Sequence, residues 1–224
     1  MAARQAFYDF ESQYGVIYRA HLRDGEDFSG KAKRAARKMA EQQVEQDEEL
    51  FQAFGGAEKV RRRLLAKWDD PMQSLARLTR AEDRMLVMIG LEEARLAAVE
   101  VVRINEIVGH GLVATRPIRL NEFIGEYTGV LRRPRACDNE NRYLAGTKAY
   151  GDCEDFLIDG RDEGNVTRFI NHSFTATNVR SEHAFFDDRW HRVLRAQRDL
   201  KAGEQLLWDY GADYWRLREA PAEL

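Results

Sequence analysis

What this 224-residue chain has little of narrows it first. Its two cysteines, Cys137 and Cys153, cannot by themselves make a disulfide framework or a four-ligand zinc site, and a reducing compartment is expected. No apolar run approaches the ~20 residues that span a bilayer. The opening MAARQAFYDFESQYG has no apolar stretch of the kind a cleaved secretory signal needs, so a soluble chain without a visible signal peptide is expected. Neither charge sign dominates: 35 Lys+Arg face 38 Asp+Glu, a net charge of −3. Neutralising phosphates takes clustered Lys and Arg, so a general nucleic-acid coat is excluded, and neither nucleic acid nor membrane is an expected partner. Repeats and low-complexity tracts are missing too. With 10% aromatic residues the chain is too rich for disorder, and it is long enough for one large domain or a small one with an appendage.

Residues 1–100 read as an α-helical region. In KAKRAARKMAEQQVEQDEELFQAF, Ala36, Ala40, Val44, Phe51 and Phe54 recur at spacings of three, four and seven, one apolar stripe on a charged helix. Gly55-Gly56 ends it. Further helical patterns cover Ala57–Trp68 and Ser74–Val99, divided at Asp69-Asp70-Pro71. The stripe offers a surface to a partner or a second copy, so a homodimer through these helices is one expectation. The basic cluster Lys31, Lys33, Arg34, Arg37 and Lys38 is followed in the same helix by Glu45, Asp47, Glu48 and Glu49, and it reads as a solvated charged face. From about Val99 short β-rich runs take over: VEVVRI, GLVAT, FIGEYTGVL, FLID and HRVLRAQ. Runs this short imply small packed sheets. The class is α+β, with residues 1–100 helical and residues 101–224 forming the second domain.

Three segments of that second half carry more chemistry than a core requires. Gly109-His110-Gly111 opens a strand, although glycines serve tight turns everywhere. Asp159 to Ser173, DGRDEGNVTRFINHS, sets Asn, His, Arg and Ser among apolar residues, and buried polar groups need partners in the fold or on a ligand. His172 alone fits a structural histidine as well as a ligand contact. LKAGEQLLWDYG, residues 200–211, reads as a turn and a strand ending at Tyr210, either an aromatic anchor or a phenol at the lip of a pocket.

Together and in this order, the three segments resemble the SET domain of protein lysine methyltransferases, from about Val101 to Trp215. Arg168-Phe169-Ile170-Asn171-His172-Ser173 matches that family's most specific motif, Glu204 to Tyr210 its second signature, and GEYTG at Gly125–Gly129 the strand between. IGEYTG, GNVTRFINHS and the pattern of Tyr210, Gly211, Tyr214 and Trp215 are similar to the compact SET proteins of chlamydiae. The resemblance implies small curved β-sheets with a C-terminal pseudoknot, in which the RFINHS strand passes beneath the loop closed by the last motif. It implies S-adenosylmethionine on one face and a lysine channel opening from the other. Tyr210 would be the catalytic tyrosine. Gly109, His110 and Gly111 would meet the cofactor through their backbone, where a side chain on either glycine would intrude. Tyr143 would lie near its methionine part, Asn171 and His172 would hold it, and Trp215 would stack on its adenine. Tyr127 and Trp208 would line the substrate channel.

Departures from the family pattern matter as well. Phe174 stands where many members have a zinc-binding cysteine, and no cysteine follows Cys153. No zinc is expected, and Ala212–Leu224 must close the site by packing. Phe174, Thr175 and Ala176 replace a short cysteine-proline stretch, leaving Asn178 of a Pro-Asn pair. Trp208, two residues before Tyr210, stands where Phe or Tyr commonly limits the number of methyls. That implies a tight site and monomethylation, or an indole turned into the core.

The expected activity is protein-lysine N-methylation of a basic protein, a histone or histone-like tail, as in a chromatin regulator or bacterial effector. Asp152, Glu154, Asp155, Asp187 and Asp188 would steer such a tail or form ordinary solvated surface. The alternative is an inactive S-adenosylmethionine-binding interaction module that works through the helical stripe. Two locations fit: the bacterial cytoplasm, or a host cell and its nucleus.

Overall fold

The computed structural model describes residues 9–138, 140–147, 155–216 and 218; Asp152, Cys153 and Glu154 lie outside them. The chain begins with α1 (residues 9–14), β1 (Ile17–Tyr18) and β2 (Arg23–Asp24). Three longer helices follow: α2 (Gly30–Ala53), α3 (Ala57–Trp68) and α4 (Arg80–Glu92). Eleven strands come next: β3 (Val99–Asn105), β4 (Gly109–Ala114), β5 (Phe123–Glu126), β6 (Val130–Arg132), β7 (Leu144–Gly146), β8 (Leu157–Asp159), β9 (Glu163–Gly164), β10 (Asn171–His172), β11 (Val179–Phe186), β12 (Arg189–Ala196) and β13 (Leu207–Trp208). A last short helix, α5, covers Ala212–Trp215. The strands form small sheets in the orders β10-β13-β11-β12-β5 and β2-β6-β8-β7, with the pairs β3-β4 and β1-β9. The expected α+β class is what forms. No helix among the described residues is long and apolar enough to cross a membrane.

Local chemistry moves several boundaries. The pattern over Ser74–Val99 yields a shorter helix, because Thr79 and Glu82 cap it reciprocally: Thr79 Oγ1 accepts from Glu82 N at 3.2 Å and Glu82 Oε2 from Thr79 N at 2.9 Å. At the other end Ala94, with φ +48, leaves the helical conformation before β3 starts. FIGEYTGVL is two strands in two sheets. They divide at Gly129, where a Cβ would lie 2.3 Å from Asp159 O. β11 has no counterpart in the sequence reading, yet it pairs with β12 over eight positions, from Val179↔Ala196 to Phe186↔Arg189. The signal was Asp187-Asp188: both have positive φ (+44 and +64), the conformation of a two-residue hairpin turn. Those two aspartates are also spoken for, since Asp188 pairs with Arg37 and Asp187 with Arg189. They are turn residues with ion-pair partners rather than free steering charges.

The apolar stripe of α2 is covered within the chain. Ala36 and Ala40 join one core cluster with Leu131, Ile158 and Trp190, and Phe51 joins a second with Leu64, Leu86, Phe123 and Val193. Only Val44 of the stripe stays outside, so the face suggested for a partner or a second copy is occupied by the chain itself. Residues from both sides of position 100 make up each cluster.

Buried ions fasten helices to sheet. Arg195, 1% exposed on β12, bonds Asp83 of α4 at 2.6 Å and Glu182 of β11 at 3.1 Å. Arg119 donates to the carbonyls of Lys67, Trp68, Asp70 and Gln73, capping the C-terminus of α3 and the loop after it. Glu122, 1% exposed, holds that guanidinium at 3.0 Å. Arg119→Met would leave Glu122 with Arg116 as its one cationic partner and take the guanidinium from four carbonyls, so it should cost about 3 kcal/mol in urea unfolding. A loss below about 1 kcal/mol would mean that the cap is not structural.

Candidate active site

The site is assembled by β10, a strand of two residues. It lies parallel to β13, with Asn171 opposite Leu207 and His172 opposite Trp208, so the end of the chain returns to lie beside the RFINHS segment. Each side chain of β10 binds a different segment. Asn171 Nδ2 donates to His110 O at 3.0 Å, tying the Gly109-His110-Gly111 turn to this strand. His172 Nδ1 accepts from Tyr210 N at 3.1 Å, so Nδ1 carries no proton and the ring is the neutral Nε2–H tautomer. Asp209 Oδ1 stands 3.8 Å from the same nitrogen, too far for a hydrogen bond, and instead accepts from Gly211 N at 2.8 Å. The three segments singled out in the sequence are thus one bonded unit.

Tyr210 sits in a nest of rings. Trp208 (5.5 Å) and Tyr214 (4.7 Å) present edges, and Trp215 stacks at 6.0 Å with an interplanar angle of 8°. The Tyr210 hydroxyl donates to Ile170 O at 2.8 Å. Burial pushes its pKa far above the ordinary phenol value, so it stays a neutral hydroxyl whose proton is committed and whose lone pairs face elsewhere. Tyr127, 5% exposed, donates to Tyr143 O at 3.0 Å and stacks on Trp208 at 6.0 Å; burial raises its pKa as well. Trp208 is therefore both buried and part of the wall between Tyr127 and Tyr210.

The two glycines of the turn differ. A Cβ on Gly111 would come within 2.7 Å of Ile104 Cγ1, 2.8 Å of Gln205 Nε2 and 3.0 Å of Asn171 Nδ2, so a side chain there intrudes. At Gly109 a Cβ would meet no described protein atom within 4 Å, and its φ of +71 itself favours glycine. The C-terminal segment closes on the rings: Trp215 lies 4.8 Å from His172, Phe174 packs edge-on to His172 at 4.2 Å, and Tyr214 Oη donates to Arg142 O at 3.0 Å. Among the described residues no group of three or more His, Cys, Asp or Glu side chains is placed to hold a metal ion.

Sequence reading gave no site role to Arg168, Gln205 or Asn178. Arg168 is 7% exposed, with its guanidinium 3.7 Å over the Tyr143 ring; Nε and Nη1 are buried without a hydrogen-bond partner, and burial pulls its pKa down from the ordinary arginine value. A charge placed first in an otherwise apolar RFI run was the signal. Gln205 Nε2, beside Gly111, and Trp215 Nε1 are also buried donors without a partner. Asn178 laces the last motif in place, donating to Gln205 O at 2.8 Å and accepting from Leu207 N at 2.8 Å.

Comparison with known proteins agrees with this geometry. Residues 109–211 match the SET domain family. The chain is 33% identical over 153 residues to the histone-lysine N-methyltransferase Set8 of Drosophila melanogaster, covering 63% of this chain and 22% of Set8. It is 31% identical over 157 residues to the H3 lysine-4 specific histone-lysine N-methyltransferase of Schizosaccharomyces pombe, covering 60% of this chain and 17% of that protein. The chain thus spans under a quarter of the length of either relative. Among solved structures, ATXR5 in complex with a histone H3.1 mono-methylated on R26 shares the fold over 93% of this chain and 87% of its own, with a TM-score of 0.61 and 19% identity. An autoinhibited ctPRC2 bound to S-adenosylmethionine gives a TM-score of 0.50 at 29% identity, over 58% of this chain and 17% of that one. Residues 109–211 thus resemble the SET domain family, and these relatives are histone-lysine N-methyltransferases.

Proposed function

We propose that this chain is an S-adenosylmethionine-dependent protein-lysine N-methyltransferase acting on a basic protein tail, a histone or histone-like protein. The observation that carries the reading is the single bonded unit of Asn171, His172 and Tyr210 across three chain segments. The residues present fit the methyl donor. Buried donors at Arg168, Gln205 and Trp215 without acceptors among the described residues suit its carboxylate and adenine, and the open side of Gly109 leaves its backbone accessible to a ligand. Arg168 would take the carboxylate over Tyr143, Asn171 and the Gly109–Gly111 backbone would bound the pocket, and Trp215 beside His172 would cover the adenine. S-adenosylmethionine, when bound, supplies an electrophilic methyl group on a sulfonium.

The chain's own contribution is alignment and desolvation. A free lysine has a pKa of about 10.4, and its ammonium form has no lone pair to offer. Entry into the Tyr127, Trp208 and Tyr210 wall removes water and disfavours that charged form, so the proton leaves to solvent as the side chain seats. Tyr210, with its own proton held by Ile170 O, presents only lone pairs and orients the amine. It is not the base, because its raised pKa makes the phenolate scarce at any working pH. Similarity to compact SET proteins of chlamydiae supports a bacterial origin and action in the bacterial cytoplasm or, as an effector, on host chromatin.

Incubation with labelled S-adenosylmethionine and mixed histones, read by mass spectrometry of lysines, tests the activity. Cofactor binding with no transfer to any basic substrate would favour an interaction module instead. Tyr210→Phe should lower kcat by about 100-fold with cofactor affinity nearly unchanged, and equal loss of both would show that its role is different. Turnover should climb from pH 7 to about 9.5 as the substrate lysine deprotonates, with no falling limb from Tyr210, whose ionisation burial moves upward. A bell-shaped profile peaking below about pH 8 would contradict a neutral Tyr210. Trp208→Phe should add mass increments of a second or third methyl per lysine; an unaltered distribution means the indole does not limit the channel. Arg168→Met should weaken S-adenosylhomocysteine binding by about 30-fold in calorimetry, and unchanged affinity would remove it from the carboxylate seat.

A further inference from the structure

The start of the chain supplies a wall that the three motifs do not provide for themselves. Phe10 and Tyr14 lie four residues apart on α1, hence on one helical face, and their rings meet at 5.3 Å. Tyr14 packs on Phe169 at 4.9 Å and presents an edge to His110 at 5.4 Å and 82°. His110 and Phe169 are themselves 5.8 Å apart, and Phe10 reaches Phe169 at 6.4 Å. Four rings from three chain segments thus form one cluster.

Tyr14 braces two backbones at once. The carbonyl of His110 accepts the Asn171 amide, and the residue after Phe169 is Ile170, whose carbonyl accepts the Tyr210 hydroxyl. Nothing lies within 4 Å of a Cβ placed on Gly109, so contact at the turn comes from its neighbour, His110. The helix is also anchored where it ends. Gly15, with φ +64, reverses the chain into β1, which pairs in parallel with β9. Arg19 and Arg23 both bind Glu163 of β9, at 2.5 and 2.7 Å, and Tyr18 N donates to Glu11 Oε1 of α1 at 2.8 Å. Two residues on from β9 the 166–169 turn begins, the one that carries Phe169.

We infer that α1 belongs to the cofactor site, and that Tyr14 is a positioning residue holding the Gly109–Gly111 backbone against Asn171. The inference rests on the methyltransferase reading above and adds an element outside residues 109–211. It gives the first part of the helical half a role in binding rather than in recruiting a partner. The contacts are made by the ring, so Tyr14→Phe keeps them and Tyr14→Ala abolishes them.

Calorimetry of S-adenosylhomocysteine on the full chain tests it, with kcat and peptide KM measured at saturating cofactor. Tyr14→Ala should bind about tenfold more weakly while Tyr14→Phe stays within about twofold of the unaltered chain. Peptide KM at saturating cofactor should not move. Phe28→Ala, which removes a ring of the same core cluster against Phe156, is the control for general destabilisation and should leave cofactor affinity unchanged. Undiminished binding by Tyr14→Ala overturns the inference, as does an equal loss in Phe28→Ala or a failure of Tyr14→Phe to restore affinity. If the unaltered chain binds no cofactor, the methyltransferase reading itself fails, and this inference falls with it.

Discussion

Everything at the site depends on a strand of two residues having both of its side chains committed. Asn171 reaches one way to the His110 carbonyl, and His172 reaches the other way to the Tyr210 amide. Neither bond is strong in net terms, each being worth about 1 kcal/mol, but together they fix three distant segments in one register. Parallel pairing with β13 adds the third constraint, and Asn178 laces β13 from its far side. Such an arrangement cannot be loosened at one point without moving the rest. A substitution at Asn171 shifts the glycine turn, and one at His172 shifts the tyrosine.

The scaffold around this unit is held by two hydrophobic clusters and by buried charge that ties helices to sheet. Arg195 and the Arg119–Glu122 pair join helices to the sheets at positions otherwise apolar. Pairs of this sort contribute little net stability when intact and cost several kcal/mol when half is removed, so they act mainly to select one arrangement of helices against sheet.

Much of the site was legible in the sequence, because it is written in contiguous motifs. RFINHS, the glycine turn and the run to Tyr210 each keep their functional residues within a few positions, and the only inference left was that they meet. Ala57–Trp68 was legible for a similar reason, since helical periodicity is local. What escaped was set by tertiary contact. The length of α4 was decided by a reciprocal cap at Thr79, and β11 by a turn whose aspartates looked like surface charge. The α2 stripe looked available to a partner because a sequence cannot show that sheet residues fill it. Arg168 escaped for the opposite reason: it sits inside the most recognisable motif, and its importance lies in Nε and Nη1, which find no acceptor among the described residues.

Phe174 and Trp215 flank His172, where the resemblance to SET domains would allow a zinc knot instead. A metal knot is nearly all-or-none, since losing one ligand loses the site. Ring packing yields contact by contact, at about 0.5–1.5 kcal/mol for each pair. Contacts of this kind let Tyr214 and Trp215 loosen from the pocket in small steps. Under the methyltransferase proposal, release of the spent cofactor would follow thermal fluctuation in the contacts of Phe174, His172 and Trp215.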